Sequence, residues 1–138
     1  LVFEDHHKKD IIVVTSGAKT AIALAEANVK TFSTGGKMII NSYSYVGDSA
    51  EDFARRFNAD ILFFSCRGVS FDGDMSDLSI EEASLRRVMF TRAKKKILLA
   101  TLEKFGQSYF YSMGNVSEID GIICEGDLPR ELKFKGIR

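Results

Sequence analysis

The sequence predicts an α/β fold with a layered, mostly parallel sheet flanked by helices. Short apolar strands alternate with helical segments along the chain, and glycine-rich or aspartate-rich loops follow the strands. The central run shows this best, with apolar strands at residues 61–64 and 97–100 separated by a loop and a helix at 79–94. Ligands of such folds bind outside the carboxyl ends of the strands, so we expect the binding residues in those loops.

Hydrophobic periodicity places the remaining elements. A β-branched strand at residues 10–15 precedes an alanine-rich helix at 18–27 and a short strand at 29–33. A second helix is predicted at 48–57 because its apolar residues recur every three or four positions and share one face. The other predicted elements are an apolar stretch at 38–40, an edge strand at 108–113 and a final strand at 121–124. Residues 1–9 read as the end of a helix that runs into a charged loop.

The helix at 79–94 carries local capping chemistry. Ser79 and Glu82 have the spacing of a capping box, in which each side chain satisfies a free backbone N–H. Arg86 lies one turn beyond Glu82, within pairing distance. Arg92 and the lysines at 94–96 are predicted at the helix C-terminus, where the partial negative charge of the helix macrodipole stabilises cations.

Composition narrows the function. The 138 residues carry nineteen basic and nineteen acidic side chains, so this segment has no positive field of the kind that drives nucleic-acid binding. The length suits one domain over residues 1–138, and no apolar run is long enough to span a bilayer. Cys66 and Cys124 match no metal-ligand spacing and read as reduced thiols of a cytoplasmic protein. The His6–His7 pair lacks a third ligand, so neither a metal nor a cofactor is expected.

Two loops of the first half could hold an anion. Thr15, Ser16 and Gly17 join a strand to a helix start, where hydroxyls and free amides suit a phosphate, although the same residues also make an ordinary N-cap. Gly35 and Gly36 precede a lysine but lack the other residues of a P-loop, so a plain turn is the default interpretation.

Three side chains of the second half each have a structural and a functional interpretation. Lys104 directly follows an apolar strand, where it would present a compact positive charge at the sheet edge. Glu82, beside the loop that begins at Gly68, is either the helix cap or a ligand or general base. Arg86 is either the partner of Glu82 on a solvated helix or an anion ligand.

These segments, taken in order, resemble the C-terminal effector-sensing domain of DeoR-type bacterial transcriptional regulators over roughly residues 10–125. The resemblance implies a fold like that of sugar-phosphate isomerases and a phosphorylated sugar or related metabolite as effector. It also implies a homo-oligomer that contacts DNA only through a separate N-terminal winged helix-turn-helix.

The family's motifs map onto this chain with substitutions. In the first half, its Thr-Asn-Ser segment falls on Thr15-Ser16-Gly17, and its Gly-Gly turn falls on Gly35-Gly36. In the second half, its Ala-Asp-Gly segment falls on Cys66-Arg67-Gly68, and its Asp-Ser-Ser-Lys-Phe-Gly segment falls on residues 101–106. Its helix pattern Glu-x-x-Val-Lys-x-x-Met falls on Glu82, Leu85, Arg86 and Met89. The family's first phosphate loop, Asp-Ser-Gly-Thr-Thr, has no counterpart, so we expect the chain to lack the first strand-loop unit as well as the winged helix-turn-helix.

Three functional hypotheses follow. The first is a sensor that binds a metabolite without turnover, with contacts from Thr15, Ser16, Gly17, Gly35, Gly36, Gly68, Glu82, Arg86 and Lys104. The second is an isomerase or deaminase acting on a sugar phosphate. It would use Glu82 as base and Lys104 as phosphate anchor, with a second acid-base group among Asp72, Asp74 and Asp77, although the run of aspartates is equally typical of a solvated turn. The third is an oligomerisation domain that binds no ligand.

Overall fold

A computed structural model describes residues 10–134 and residue 136. The chain divides into two compact units between Arg56 and Phe57. The interpretations of residues 1–9 and of His6 and His7 fall outside the described residues.

The first unit begins with a parallel β-α-β arrangement. The chain forms β1 (Ile12–Thr15), α1 (Ala18–Glu26) and β2 (Lys30–Ser33), followed by β3 (Lys37–Ile39), β4 (Ser44–Val46) and α2 (Asp48–Ala54). Strands β1 and β2 pair in parallel, with Ile12 opposite Lys30 and Thr15 opposite Ser33. Asn28, at φ 60°, adopts the left-handed conformation that commonly follows a helix end.

The predicted apolar stretch at 38–40 is one arm of a hairpin rather than a member of a parallel sheet. Strand β3 pairs antiparallel with β4, and Lys37 stands opposite Val46. Helix α2 ends at Ala54, three residues before the predicted end, so Phe57 lies beyond it. Ala50 and Ala54 form the buried part of the predicted apolar face.

The second unit contains two three-stranded sheets and one long helix. Its elements are β5 (Ala59–Phe64), β6 (Gly68–Val69), β7 (Asp74–Asp77), α3 (Ile80–Thr91), β8 (Ala93–Leu99), β9 (Tyr111–Asn115) and β10 (Gly121–Ile123). The parallel sheet has the order β10-β8-β5, and the antiparallel sheet has the order β6-β7-β9. The predicted α/β fold, with a parallel sheet and flanking helices, is confirmed.

The prediction for the lysines at 94–96 is wrong. Helix α3 ends at Thr91, and the three lysines belong to β8, where Lys95 pairs with Ile61 and Lys96 with Leu62 of β5. Pairing with β5 outweighs the helical propensity of lysine because it completes the backbone hydrogen bonds of the sheet. The lysine run therefore does not act on the helix macrodipole.

Arg92 lies at the C-terminal end of α3, as predicted, and its side chain forms two hydrogen bonds that the sequence does not indicate. Its Nε donates to the carbonyl oxygen of Phe57 at 3.0 Å, and its Nη2 donates to Asn58 Oδ1 at 2.6 Å. These two bonds tie the end of α3 to the residues that lead into β5.

The parallel sheet is buried on one face. Leu98 and Ile122 are almost fully buried, and the Phe64 ring meets the Phe90 ring of α3 edge to face at 5.6 Å. On the opposite face, Ile61 and Phe63 remain 48% and 49% exposed. The apolar strand predicted at residues 61–64 therefore packs into the core through alternate residues only, Leu62 and Phe64. Among the described residues, no helix is long and apolar enough to cross a membrane.

Candidate functional site

In the first unit, the loop of Thr15, Ser16 and Gly17 forms hydrogen bonds within itself and with neighbouring residues of the protein. The N–H of Gly17 donates to Thr15 Oγ1 at 3.1 Å, and the carbonyl of Ser16 accepts the N–H of Tyr45 at 2.8 Å. The carbonyl of Tyr43 accepts the first N–H of α1, from Ala18, at 2.9 Å. The hairpin therefore caps α1, and these contacts account for the loop conformation without a ligand.

Gly35 and Gly36 form the turn between β2 and β3, and both have positive φ, at 61° and 107°. A Cβ at Gly36 would lie 2.8 Å from the carbonyl oxygen of Val46 and 3.1 Å from Ala50 Cβ, whereas a Cβ at Gly35 would meet nothing within 4 Å. Gly36 is thus required for the close approach of the turn to α2. This packing supports the plain-turn interpretation.

In the second unit, several charged side chains gather around a buried thiol. The Cys66 Sγ donates to the carbonyl oxygen of Gly68 at 3.4 Å. Burial raises the pKa of this thiol to about 11, even though Lys104 and Arg86 act to lower it. The negative charge of Asp77 also raises the pKa of the thiol. We call Cys66, Asp77, Arg86 and Lys104 the Cys66 cluster; its thiol is neutral at physiological pH.

Asp77 and Arg86 form the buried ion pair of this cluster. Arg86 Nη1 donates to Asp77 Oδ2, and the N–H of Leu78 donates to Asp77 Oδ1 at 3.0 Å. The Asp77 side chain is 6% exposed and that of Arg86 is 25% exposed. Arg86 therefore has a carboxylate partner on β7, which the helical spacing of Glu82 and Arg86 did not predict. Asp77 is not a residue of a solvated turn, as one interpretation of its loop suggested.

Lys104 is held in place by the backbone on either side of it. It ends a short 3-10 turn, Leu102–Lys104, and the next residue, Phe105, is buried. The N–H of Gly106 donates to the carbonyl oxygen of Val69 at 2.7 Å. Lys104 is half-buried, and it forms no ion pair with any residue in the described part of the chain. The cluster therefore contains a positive charge that no carboxylate pairs with directly.

Gly68 is needed because another chain segment lies against it. A Cβ at Gly68 would come within 2.7 Å of the Gln107 carbonyl oxygen and 2.8 Å of the Tyr109 ring. The N–H of Tyr109 donates to Ser76 Oγ at 2.8 Å, and Ser76 is fully buried. Sequence reasoning missed Ser76 and Tyr109, because a serine between polar residues and a tyrosine before an edge strand form no recognisable motif.

Glu82 lies in the first turn of α3, one turn before Arg86. The Ser79 hydroxyl oxygen accepts the N–H of Glu82 at 3.2 Å, which confirms the Ser79 half of the predicted cap. The structure thus brings Gly68, Arg86 and Lys104 together around Cys66, and it places Glu82 on the same helix as Arg86. Among residues 10–134 and 136, no group of three or more histidines, cysteines and carboxylates could hold a metal ion.

Replacing Ser79 with alanine is expected to lower the free energy of unfolding by about 1 kcal/mol, because the N–H of Glu82 would lose its acceptor. Urea denaturation measures this loss. Ser79→Asp, which retains an acceptor, is the control and should remain close to the wild type. Equal losses in both variants would contradict the capping role.

Comparison with known proteins identifies the family. The model of the DeoR C-terminal sensor domain matches residues 4–126. Relatives include the HTH-type transcriptional regulator GlpR of Haloferax volcanii, 31% identical over 88% of this chain and 48% of the relative. A putative aga operon transcriptional repressor of Escherichia coli O157:H7 is 31% identical over 94% of this chain and 48% of the relative. The regulator GolR of Listeria innocua is 29% identical over 98% of this chain and 54% of the relative.

The chain spans about half the length of the curated relatives that it matches. Among solved structures, a decarboxylase AibA/AibB is similar, with a TM-score of 0.48 and 15% identity over 87% of this chain and 68% of that chain. Since the family model covers most of the sequence and these relatives are transcriptional regulators, the chain belongs to the family of DeoR C-terminal sensor domains.

Proposed function

We propose that this chain is the effector-binding domain of a cytoplasmic transcriptional regulator. It binds a phosphorylated sugar or related anionic metabolite and thereby controls DNA binding by a separate helix-turn-helix domain. The observation that carries the proposal is Lys104, a half-buried cation with no ion-pair partner among the described residues, which acts electrostatically on the Cys66 thiol as Arg86 does. Two relatives are named L-fucose operon activators, which supports an effector related to sugar metabolism.

The electrostatics of the Cys66 cluster favour an anionic ligand. Asp77 fixes the Arg86 guanidinium, so Lys104 supplies the charge that no ion pair compensates. The Cys66 thiol stays neutral and does not compete with an incoming anion. A charge-assisted hydrogen bond to Lys104 would contribute about 1.5–3 kcal/mol to binding.

The other predicted contacts have less support. Gly68 lies beside the cluster and Glu82 lies in the first turn of the helix that carries Arg86, so we retain both as effector contacts. The first-unit residues Thr15, Ser16, Gly17, Gly35 and Gly36 are proposed on the family resemblance alone, because local contacts already explain their conformations. Assembly into a homo-oligomer is likewise proposed from the resemblance.

Replacing Lys104 with methionine is expected to weaken effector binding by about one to two orders of magnitude, because the anion would lose a charge-assisted contact. The measurement begins with a thermal-shift screen of glucose 6-phosphate, ribose 5-phosphate, their parent sugars and glucuronate. Calorimetric titration of any stabilising compound then gives its Kd for both proteins.

Lys95→Met removes the same charge from an exposed position in β8 and is the matched control. Equal affinities in the wild type and Lys104→Met would remove Lys104 from the site. Failure of every charged compound to stabilise the wild type would favour the alternative of an oligomerisation domain without a ligand.

The isomerase or deaminase alternative needs a second acid-base group besides Glu82, and the structure reduces the choice. Asp77 is committed to Arg86, and Asp74 Oδ2 accepts the Ser112 hydroxyl at 2.9 Å. Asp72 lies in an exposed ion pair with Lys133, at 3.5 Å between Oδ1 and Nζ. A compound that stabilises the protein and is also converted by it would support the enzyme.

A further inference from the structure

We propose that Glu125 is a positioning residue for the effector site. Its carboxylate holds the start of the 3-10 turn Leu102–Lys104 and thereby sets where the Lys104 ammonium meets the anionic group of the ligand. This inference rests on the proposed function and adds to it a residue that acts through Lys104 rather than by touching the ligand.

The turn that carries Lys104 is too short to be stable by itself. It has three residues. The Lys104 N–H donates to the Thr101 carbonyl oxygen at 3.1 Å, and the Phe105 N–H donates to the Leu102 carbonyl oxygen at 3.2 Å. Short 3-10 turns have poor hydrogen-bond geometry, and one or two such bonds do not offset the cost of nucleation. The conformation of the turn therefore depends on contacts from elsewhere in the chain.

The turn is held by one contact at each end. At its C-terminal end, the Phe105 side chain is buried in the core. At its N-terminal end, the Leu102 N–H donates to Glu125 Oε1 at 2.7 Å, a short bond to a carboxylate. Within the described part of the chain, the Thr101 side chain that precedes the turn does not cap it. Glu125 therefore takes the place of the local cap.

Glu125 is itself fixed by the strand before it and the loop after it. The Ala100 N–H donates to the Ile123 carbonyl oxygen at 3.1 Å, which continues the pairing of β8 with β10 to the ends of both strands. The Cys124 thiol donates to the Gly126 carbonyl oxygen at 2.8 Å. Because the backbone is held on both sides of Glu125, its carboxylate can act as a fixed point for the turn.

The direction of the effect on anion binding separates positioning from simple charge repulsion. A carboxylate near a bound anion repels it, so removal of Glu125 would strengthen anion binding if its charge alone mattered. If Glu125 positions Lys104, the same removal weakens anion binding, because the turn and the lysine must then become ordered when the anion binds. Glu125 is exposed, so water screens its charge and the effect on order is the larger one.

The test titrates inorganic phosphate, as a probe of the anionic group, into the whole chain at constant ionic strength. The NMR signal of the Lys104 side chain, assigned by its loss in Lys104→Met, gives the Kd. Glu125→Ala removes the acceptor and is expected to weaken phosphate binding about fivefold. Glu125→Gln keeps an acceptor for the Leu102 N–H without the charge, so its affinity should equal or exceed that of the wild type.

Asp127→Ala removes an equal charge from an exposed position in the same loop and is the matched control, whose affinity should not fall below that of the wild type. Should Glu125→Ala fail to fold, Glu125→Asp provides a second variant, because its shorter side chain withdraws the acceptor while keeping the charge, and it should also weaken binding. Unchanged or tighter phosphate binding by the acceptor-removing variant, or an equal loss in Glu125→Gln, would overturn this inference and leave the proposed site standing. No response of the Lys104 signal to phosphate in the wild type would overturn the proposed site, and this inference with it.

Discussion

Replacing Arg86 with methionine is expected to lower the free energy of unfolding by about 3 kcal/mol. The reason is that the buried Asp77 carboxylate would lose its ion-pair partner while remaining away from water. The remaining hydrogen bond, from Leu78 N–H, is too weak to offset the desolvation of a full charge. Urea denaturation followed by circular dichroism measures the loss.

Arg87→Met is the matched control on the same helix. Arg87 Nη2 lies 2.8 Å from Glu118 Oε2, but these side chains are 44% and 37% exposed, so the variant should lose about 1 kcal/mol or less. The double variant Asp77→Leu/Arg86→Met should regain much of the loss, because no unpaired charge remains. A loss for Arg86→Met no larger than that for Arg87→Met would show that Asp77 does not depend on Arg86.

Gly36→Ala is the second substitution with a large expected effect, a loss of about 3 kcal/mol or more in the free energy of unfolding. At φ 107° an alanine is strained, and its Cβ would press against the Val46 carbonyl oxygen, which belongs to the backbone and has little room to move. The turn would have to shift away from α2. Chemical denaturation of the purified variant measures the effect.

The neighbouring variant Gly35→Ala separates conformational strain from packing. Gly35 also has positive φ, at 61°, but a Cβ there has open space around it. Its expected loss is about 1 kcal/mol, from the left-handed conformation alone. Similar losses in the two variants would mean that the contact of Gly36 with Val46 is not important for stability.

Local patterns in the sequence were sufficient for most of the fold. The strands around residues 12–15 and 61–64 and the start of α3 at Ser79 depend on propensity, periodicity and capping, which act over a few residues. The end of α3 was placed too late because three lysines favour an exposed helix locally. Only the pairing of β8 with β5, a non-local contact, assigns them to a strand.

The candidate site was less accessible to sequence reasoning for the same reason. Charge and position predict Lys104 and Arg86 as candidates, but they do not predict the partner of Arg86, because Asp77 reaches it from another element. Helical spacing favoured Glu82 as the partner, since that rule considers only residues on one helix. Gly68 is required because the Tyr109 ring lies against it, and Tyr109 lies about forty residues further along the chain, just before β9. No local sequence pattern could therefore reveal this contact.

The hydrogen bond between Gly106 and Val69 also bears on the local stability of this region. The Phe71 ring lies against Gly106, and the Phe71 carbonyl accepts the N–H of Lys133 at 3.1 Å. The bond and the ring together form a clasp that joins the segment after Lys104 to the β6-β7 hairpin, and the Lys133 contact extends it to the C-terminal segment. Hydrogen exchange at the Gly106 amide requires the clasp to open, so its protection measures the free energy of detaching the Lys104 segment from the hairpin.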